Sequence, residues 1–299
     1  GLTIVNIFGV NVSKVVNNLI TISKLVPLAL FIAIGIFFIN GTNFTPVFPQ
    51  DTYIDGSFAQ AAVLLFFAYT GFEVIAIAAE DMKNPKKNLP RAIIMCMLIV
   101  SVLYMAILAV SIGVLGPDLA NTKAPVQDAF NVIVGPIGMY IVLAGTLISM
   151  GGINFAEAYY APRIATSMAE DGMLPSALAK RNRYNAPYVA AIVTAIASVL
   201  LAWSGSFTTL AAISAVSRFT QYLPTCLAVI IFRHKWADKE RSYTIPGGYT
   251  IPVLAIGTSL WMLWQAQTNQ LLWGLGGCIV ILPLYVWYWR KKKAGLIKE

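Results

Sequence analysis

Charge is what this chain has least of. Only 11% of its 299 residues are Asp, Glu, Lys or Arg, while 58% are hydrophobic. A soluble domain carries a charge at about one residue in four, so a water-facing surface cannot be assembled from this composition. Histidine is scarcer still. The single one, His234, sits between Arg233 and Lys235, which excludes a histidine-based metal cluster or a multi-histidine catalytic centre. The three cysteines, Cys96, Cys226 and Cys278, stand alone in apolar runs without metal or disulfide spacing, and read as buried thiols. Walker, nucleophile-elbow, HExxH and dinucleotide-glycine patterns are all missing. An ATP-driven pump or a membrane enzyme has nothing to recommend it, and neither a metal nor a cofactor is expected.

What the chain does have is apolar length. Runs long enough to span a bilayer occur at 15–39, 58–79, 92–115, 137–162, 187–204, 208–232, 250–267 and 271–289. They are continuous rather than alternating, so they predict about eight transmembrane helices and no barrel. The fold class is all-α, an integral membrane protein in which 1–299 forms a single transmembrane domain.

The charges that exist are sorted by loop. Lys83, Lys86, Lys87 and Arg91, then Arg163, Lys180, Arg181 and Arg183, then Arg233, Lys235, Lys239 and Arg241, and finally 290–293 lie on one set of connections. The alternate set holds Lys123 together with Asp51, Asp55, Asp118 and Asp128. This asymmetry predicts a multi-pass protein of the cell membrane with both ends of this chain cytoplasmic. The net charge of +8 is thereby accounted for by the lipid bilayer, with no call for nucleic acid. Segment 124–133 reads as a short surface helix, either a cover over the outer mouth or an ordinary loop helix. The last two runs carry no charge but hold Trp261, Trp264, Trp273, Trp287 and Trp289, and are expected to be peripheral and lipid-facing.

Four ionisable residues remain at membrane depth: Lys24, Glu73, Glu157 and Arg218. Three of them, Lys24, Glu157 and Arg218, are on polar stripes at helical spacing. The stripes are Asn17, Thr21 and Lys24; Thr146, Asn154 and Glu157; and Ser214, Arg218, Gln221 and Thr225. Such stripes face a bundle interior or a wet cavity. Glu157 and Arg218 are candidates for intramembrane ion pairing, as helix ties or as part of a polar pathway. Glu73 closes the run Phe66-Phe67-Ala68-Tyr69-Thr70-Gly71-Phe72-Glu73, where Thr70-Gly71 falls near the middle of a span. Gly71 alone is equally consistent with close packing. With its neighbours it predicts a broken helix of the kind that lends free backbone groups to a transporter's substrate site.

The run 67–73, continued by Glu80-Asp81-Met82-Lys83-Asn84-Pro85 and Asn88-Leu89-Pro90-Arg91, resembles the sixth helix and following loop of the amino acid-polyamine-organocation permeases. Ala161-Pro162-Arg163 with Met168-Ala169-Glu170-Asp171-Gly172-Met173-Leu174-Pro175 is similar to the end of that family's eighth helix, and Ser23-Lys24-Leu25 to its fifth. The resemblance implies the LeuT-type inverted-repeat fold with helices five to twelve present: 15–233 as the last helix of repeat one plus repeat two, and 250–289 as the two peripheral helices. The first four helices, whose own broken helix faces the site, would then be missing partners from the same protein. It further implies a secondary active amino-acid transporter working by alternating access. Phe67, Ala68, Tyr69, Thr70 and Gly71, with Asn154, would bind substrate, and Lys24 and Glu73 would serve coupling and gating. Lys24 would stand where sodium-coupled relatives bind a cation, which implies sodium-independent transport by proton coupling or exchange. A polyamine or organic-cation transporter, and a non-transporting membrane subunit or sensor, are the alternatives.

Overall fold

The computed structural model describes residues 14–46, 57–73, 75, 82–239, 241 and 243–293. Asp51, Asp55, Glu80, Asp81 and the rest of 76–79 lie outside the described residues, as do the side chains of Asn17, Cys278 and Trp287. Among the described residues every long element is a helix. These are α1 (Lys14–Gly35), α2 (Ser57–Ala68), α3 (Pro85–Leu115), α4 (Pro125–Val134), α5 (Pro136–Glu170), α6 (Tyr188–Ser204), α7 (Phe207–Lys235), α8 (Thr250–Gln265) and α9 (Thr268–Lys293). Seven of the eight apolar runs fall mainly on one of them, α2 holds 58–68 of the run 58–79, and the surface segment is α4. Hydrocarbon offers no hydrogen bonds, so an apolar run must satisfy its own backbone, and the helix does this locally.

Four stretches are long and apolar enough to cross a membrane: Ile20–Phe38, Pro85–Asn121, Pro136–Glu170 and Phe207–Lys235. The helices α2 and α6 are apolar but shorter. The protein is therefore an all-α, multi-pass membrane protein.

Helix ends follow their local chemistry. The Ser206 hydroxyl accepts the Thr209 N–H at 3.3 Å at the start of α7. At its other end Arg233, His234 and Lys235 meet the negative pole of the helix dipole. The sequence ended the fourth run at 162, yet α5 continues through Pro162 to Glu170. Two contacts explain the extension. The Arg163 guanidinium lies 3.3 Å from the centre of the Tyr159 ring and donates to the Tyr159 carbonyl at 2.9 Å. The buried Thr166 hydroxyl lies within hydrogen-bond distance of both the Pro162 and Leu178 carbonyls, at 2.9 and 3.1 Å. The helix stops at Gly172, whose φ of +77° suits a residue without a side chain, and the Met173 N–H closes back on the Met168 carbonyl at 2.8 Å.

The chain divides into two compact units. The first comprises Gly1–Asp51, Ser101–Leu200 and Lys291–Glu299; the second comprises Thr52–Val100 and Leu201–Arg290. The first is built around Phe31, Val110, Ala129, Phe130 and Val142, with Phe31 and Phe130 edge to face at 5.7 Å. Here α1 and α5 approach closely at Gly145, where an added Cβ would stand 2.6 Å from Pro27 Cγ. In lipid, helices associate through such small-residue contacts. Gly145→Leu is accordingly expected to cost about 1–3 kcal/mol by overpacking, seen as a lower melting temperature in detergent. Gly151→Leu, one and a half turns along the same helix with no atom near the new Cβ, should leave the melting temperature unchanged.

The second unit packs Val63, Ala212 and Ala215 against Phe66, Phe67 and Met262. The α9 helix joins at Gly274, where a Cβ would meet Val216 at 2.7 Å and the Ile213 carbonyl at 3.0 Å. The glycine-rich stretch of α9 thus allows one close helix contact.

Candidate functional site

Helix α2 ends at Ala68 because its last turn tightens. The N–H groups of Tyr69 and Thr70 donate to the carbonyls of Phe66 and Phe67 at 3.1 and 3.0 Å, and the Thr70 hydroxyl adds a second donor to Phe67 at 2.7 Å. Gly71 then takes φ +106°, a conformation that residues with a Cβ rarely adopt. The helix thus ends at Ala68, at the interruption expected from Thr70-Gly71, and the continuation at 76–79 lies outside the described residues.

The break is filled by Glu73. Its Oε2 accepts the Gly71 N–H at 2.9 Å and the Tyr222 hydroxyl at 3.1 Å, while its Oε1 forms an ion pair with Arg218. Arg218 and Tyr222 sit four residues apart on α7, so both point from one face of that helix. The carboxylate side chain is 15% exposed and the guanidinium 33%. A carboxylate buried at this depth would be costly alone, and here it has a cation, a hydroxyl and a backbone donor. The aromatic rings fix the geometry around it. Phe66 stacks on Phe219 at 4.8 Å and meets Tyr222 edge-on at 5.8 Å, and Phe72 lies 5.9 Å from Tyr222.

Beside this network, within the second unit, is a cavity of about 540 Å³. Tyr69, Thr70 and Glu73 line it from the break, Gln221, Tyr222, Thr225 and Cys226 from α7, and Thr258 and Ser259 from α8. The volume lies in the range of small-molecule sites, and a mostly apolar wall with a few polar groups is their usual lining. Phe67 turns away, edge to face with Phe207 at 6.2 Å. Ala68 is exposed at the helix end and Gly71 contributes its backbone.

Asn154 and Glu157 belong to the first unit. There they line a separate cavity of about 400 Å³ with Thr194 and Ser198 of α6. Asn154 donates to the Met150 carbonyl of its own helix at 2.9 Å, and Glu157 is exposed and forms no ion pair among the described residues. Lys24, on α1 in the same unit, is half-buried. The structure thus pairs Arg218 with Glu73, and brings Tyr69, Thr70 and Glu73 together.

Sequence reasoning missed Tyr222, although it lies one turn beyond Arg218 on a stripe already marked as polar. It also missed α8, set aside as lipid-facing for its tryptophans. Trp264 is indeed 87% exposed, but the opposite side of the helix gives Thr258 and Ser259 to the cavity. Those hydroxyls are satisfied on their own helix, Thr258 by the Leu254 carbonyl and Ser259 by that of Ala255, at 2.9 and 2.7 Å.

A helix that ends at a glycine turn, a carboxylate held there by Arg218 and Tyr222, and a cavity of about 540 Å³ beside it make up the candidate site. Residues 1–287 match the amino acid permease family, and the chain belongs to that family, one of transport proteins rather than enzymes. It is 31% identical over 294 residues to the branched-chain amino acid permease BcaP of Bacillus subtilis, covering 95% of this chain and 61% of that protein. It is 29% identical over 258 residues to the methylthioribose transporter of the same organism, covering 86% and 55%. To the serine/threonine exchanger SteT, also of Bacillus subtilis, it is 28% identical over 298 residues, covering 98% and 68%. The chain thus spans a little over half the length of the first two relatives.

Proposed function

We propose that this chain forms part of a secondary active amino-acid transporter of the cell membrane, working by alternating access, and that it supplies the broken-helix wall of the substrate site. The observation that carries this reading is the break at Ala68–Gly71 opening on the cavity lined by Tyr69, Thr70 and Glu73. The family match and relatives named for branched-chain amino acids and for serine and threonine support the substrate class. Uptake of labelled amino acids by the full-length protein in proteoliposomes tests it. Saturable uptake, competed by unlabelled amino acids, is expected; binding without counterflow would instead support a sensor or subunit.

The polyamine alternative requires a spare carboxylate for a second ammonium group. In the cavity of the second unit the one carboxylate among the lining residues is already paired with Arg218, which favours amino acids over diamines.

Lys24 is assigned to coupling, as a fixed ammonium in the place of a transported cation, with both chain ends cytoplasmic. Lys24→Ala is expected to reduce uptake about tenfold or more, equivalent to at least 1.4 kcal/mol, at unchanged protein level. Wild-type uptake should be the same in sodium and in choline buffers. Uptake that collapses without sodium would sink the coupling assignment.

A further inference from the structure

At the end of α7, remote in sequence from the break, three cations line one pocket. Arg233, Lys239 and Arg241 surround a cavity of about 360 Å³ together with Phe232, Trp236 and Tyr243. No carboxylate is among the described lining residues. The neighbouring Asp238 does not line the pocket, and Glu240 lies outside the described residues.

The cations are held but not consumed. Arg233 spends one donor on the Ile245 carbonyl at 2.9 Å and lies 5.9 Å from the Tyr249 ring. Arg241 places one nitrogen near the Trp236 and Phe232 carbonyls, at 3.2 and 3.4 Å, at the end of the helix. A guanidinium carries five N–H donors, so both keep capacity for a ligand. The Lys239 ammonium rests 5.4 Å from the Trp236 ring and makes no ion pair among the described residues. Fixed aromatic and backbone contacts thus hold three charges around one space before anything binds.

Its position is equally informative. The apolar stretch Phe207–Lys235 ends here, and Phe232 and Trp236 pack at 4.7 Å in the manner of side chains at a membrane–water interface. A lipid headgroup is an anion suited to such a place, with an apolar body alongside at the membrane level. From this charge complementarity we infer that the pocket binds the phosphate of an anionic phospholipid, with Arg233 and Arg241 as fork donors and Lys239 as a point charge.

Native mass spectrometry of the detergent-purified chain tests this, with phosphatidylglycerol and phosphatidylcholine titrated separately. The wild type is expected to retain phosphatidylglycerol preferentially, and Lys239→Gln to reduce that preference about fivefold. The Lys239 side chain makes no hydrogen bond among the described residues, so unchanged helix content by circular dichroism is expected. Arg233→Gln/Arg241→Gln should reduce the preference further. Lys86→Gln, an exposed cation at the start of α3, should leave it intact. Equal preference in the wild type and Lys239→Gln, or an equal loss in Lys86→Gln, overturns the pocket. Displacement of the lipid by millimolar inorganic phosphate overturns the lipid as occupant in favour of a free anion.

Discussion

In thermal denaturation of the purified protein, Arg218→Met is expected to melt several degrees below the wild type, and Glu73→Gln/Arg218→Met to recover most of that loss. The reason is the asymmetry of buried ion pairs. Removing one partner of a fully buried pair costs about 3–5 kcal/mol, because the other charge is left without compensation. A third of the Arg218 side chain is exposed, so solvent screens part of the effect and roughly 2 kcal/mol is expected here. When both charges are removed, Glu73→Gln still offers a carbonyl to the Gly71 N–H and the Tyr222 hydroxyl. Tyr222→Phe deletes only one hydrogen bond to Glu73 and should cost about 1 kcal/mol. If Arg218→Met melted with the wild type, the pair would not be holding the break. Uptake separates structure from function, since the double variant should fold yet transport at about a tenth of the wild-type rate or less, a deficit of at least 1.4 kcal/mol.

The second large effect falls on Gly71. A Cβ at this position meets nothing within 4 Å, so Gly71→Ala carries no packing penalty and isolates the backbone. With φ at +106°, alanine is strained by about 1–3 kcal/mol. The turn relieves that strain only by rotating the N–H away from Glu73. Loss of uptake by Gly71→Ala is therefore expected to exceed its loss of stability, with Glu73 and Arg218 still paired. Gly277→Ala, another glycine with open space around it but within α9, is the control and should transport normally. Wild-type uptake by Gly71→Ala would mean that the break has no part in the transport cycle.

Much of this was legible in the sequence, for reasons that differ by element. The apolar runs became helices because membrane solvation leaves a long apolar segment little choice, and polar or proline-bounded stretches separated them cleanly. The break at Thr70-Gly71 was legible because one dipeptide interrupts an otherwise uniform run. The continuation of α5 past Pro162 was not, since proline reads as a stop and the compensating contacts of Arg163 and Thr166 require a folded neighbour. Nor was the partner of Glu73: Tyr222 lies 149 residues away, and helical periodicity reports which face a residue occupies but not which helix that face meets. The role of α8 was hidden for a related reason. Its tryptophans advertise the lipid side, whereas Thr258 and Ser259 are too common in membrane helices to mark a cavity.

The pairing of Glu73 with Arg218 has an electrical consequence. A lone charge that crossed the whole membrane field would exchange about 2.3 kcal/mol with every 100 mV of potential. Two opposite charges in direct contact travel as a dipole of short length, and the work done on one is returned by the other. A displacement that carries both charges together is therefore nearly indifferent to voltage, and under the proposed transport function the electrical driving force would act on the cargo and on charges elsewhere in the protein.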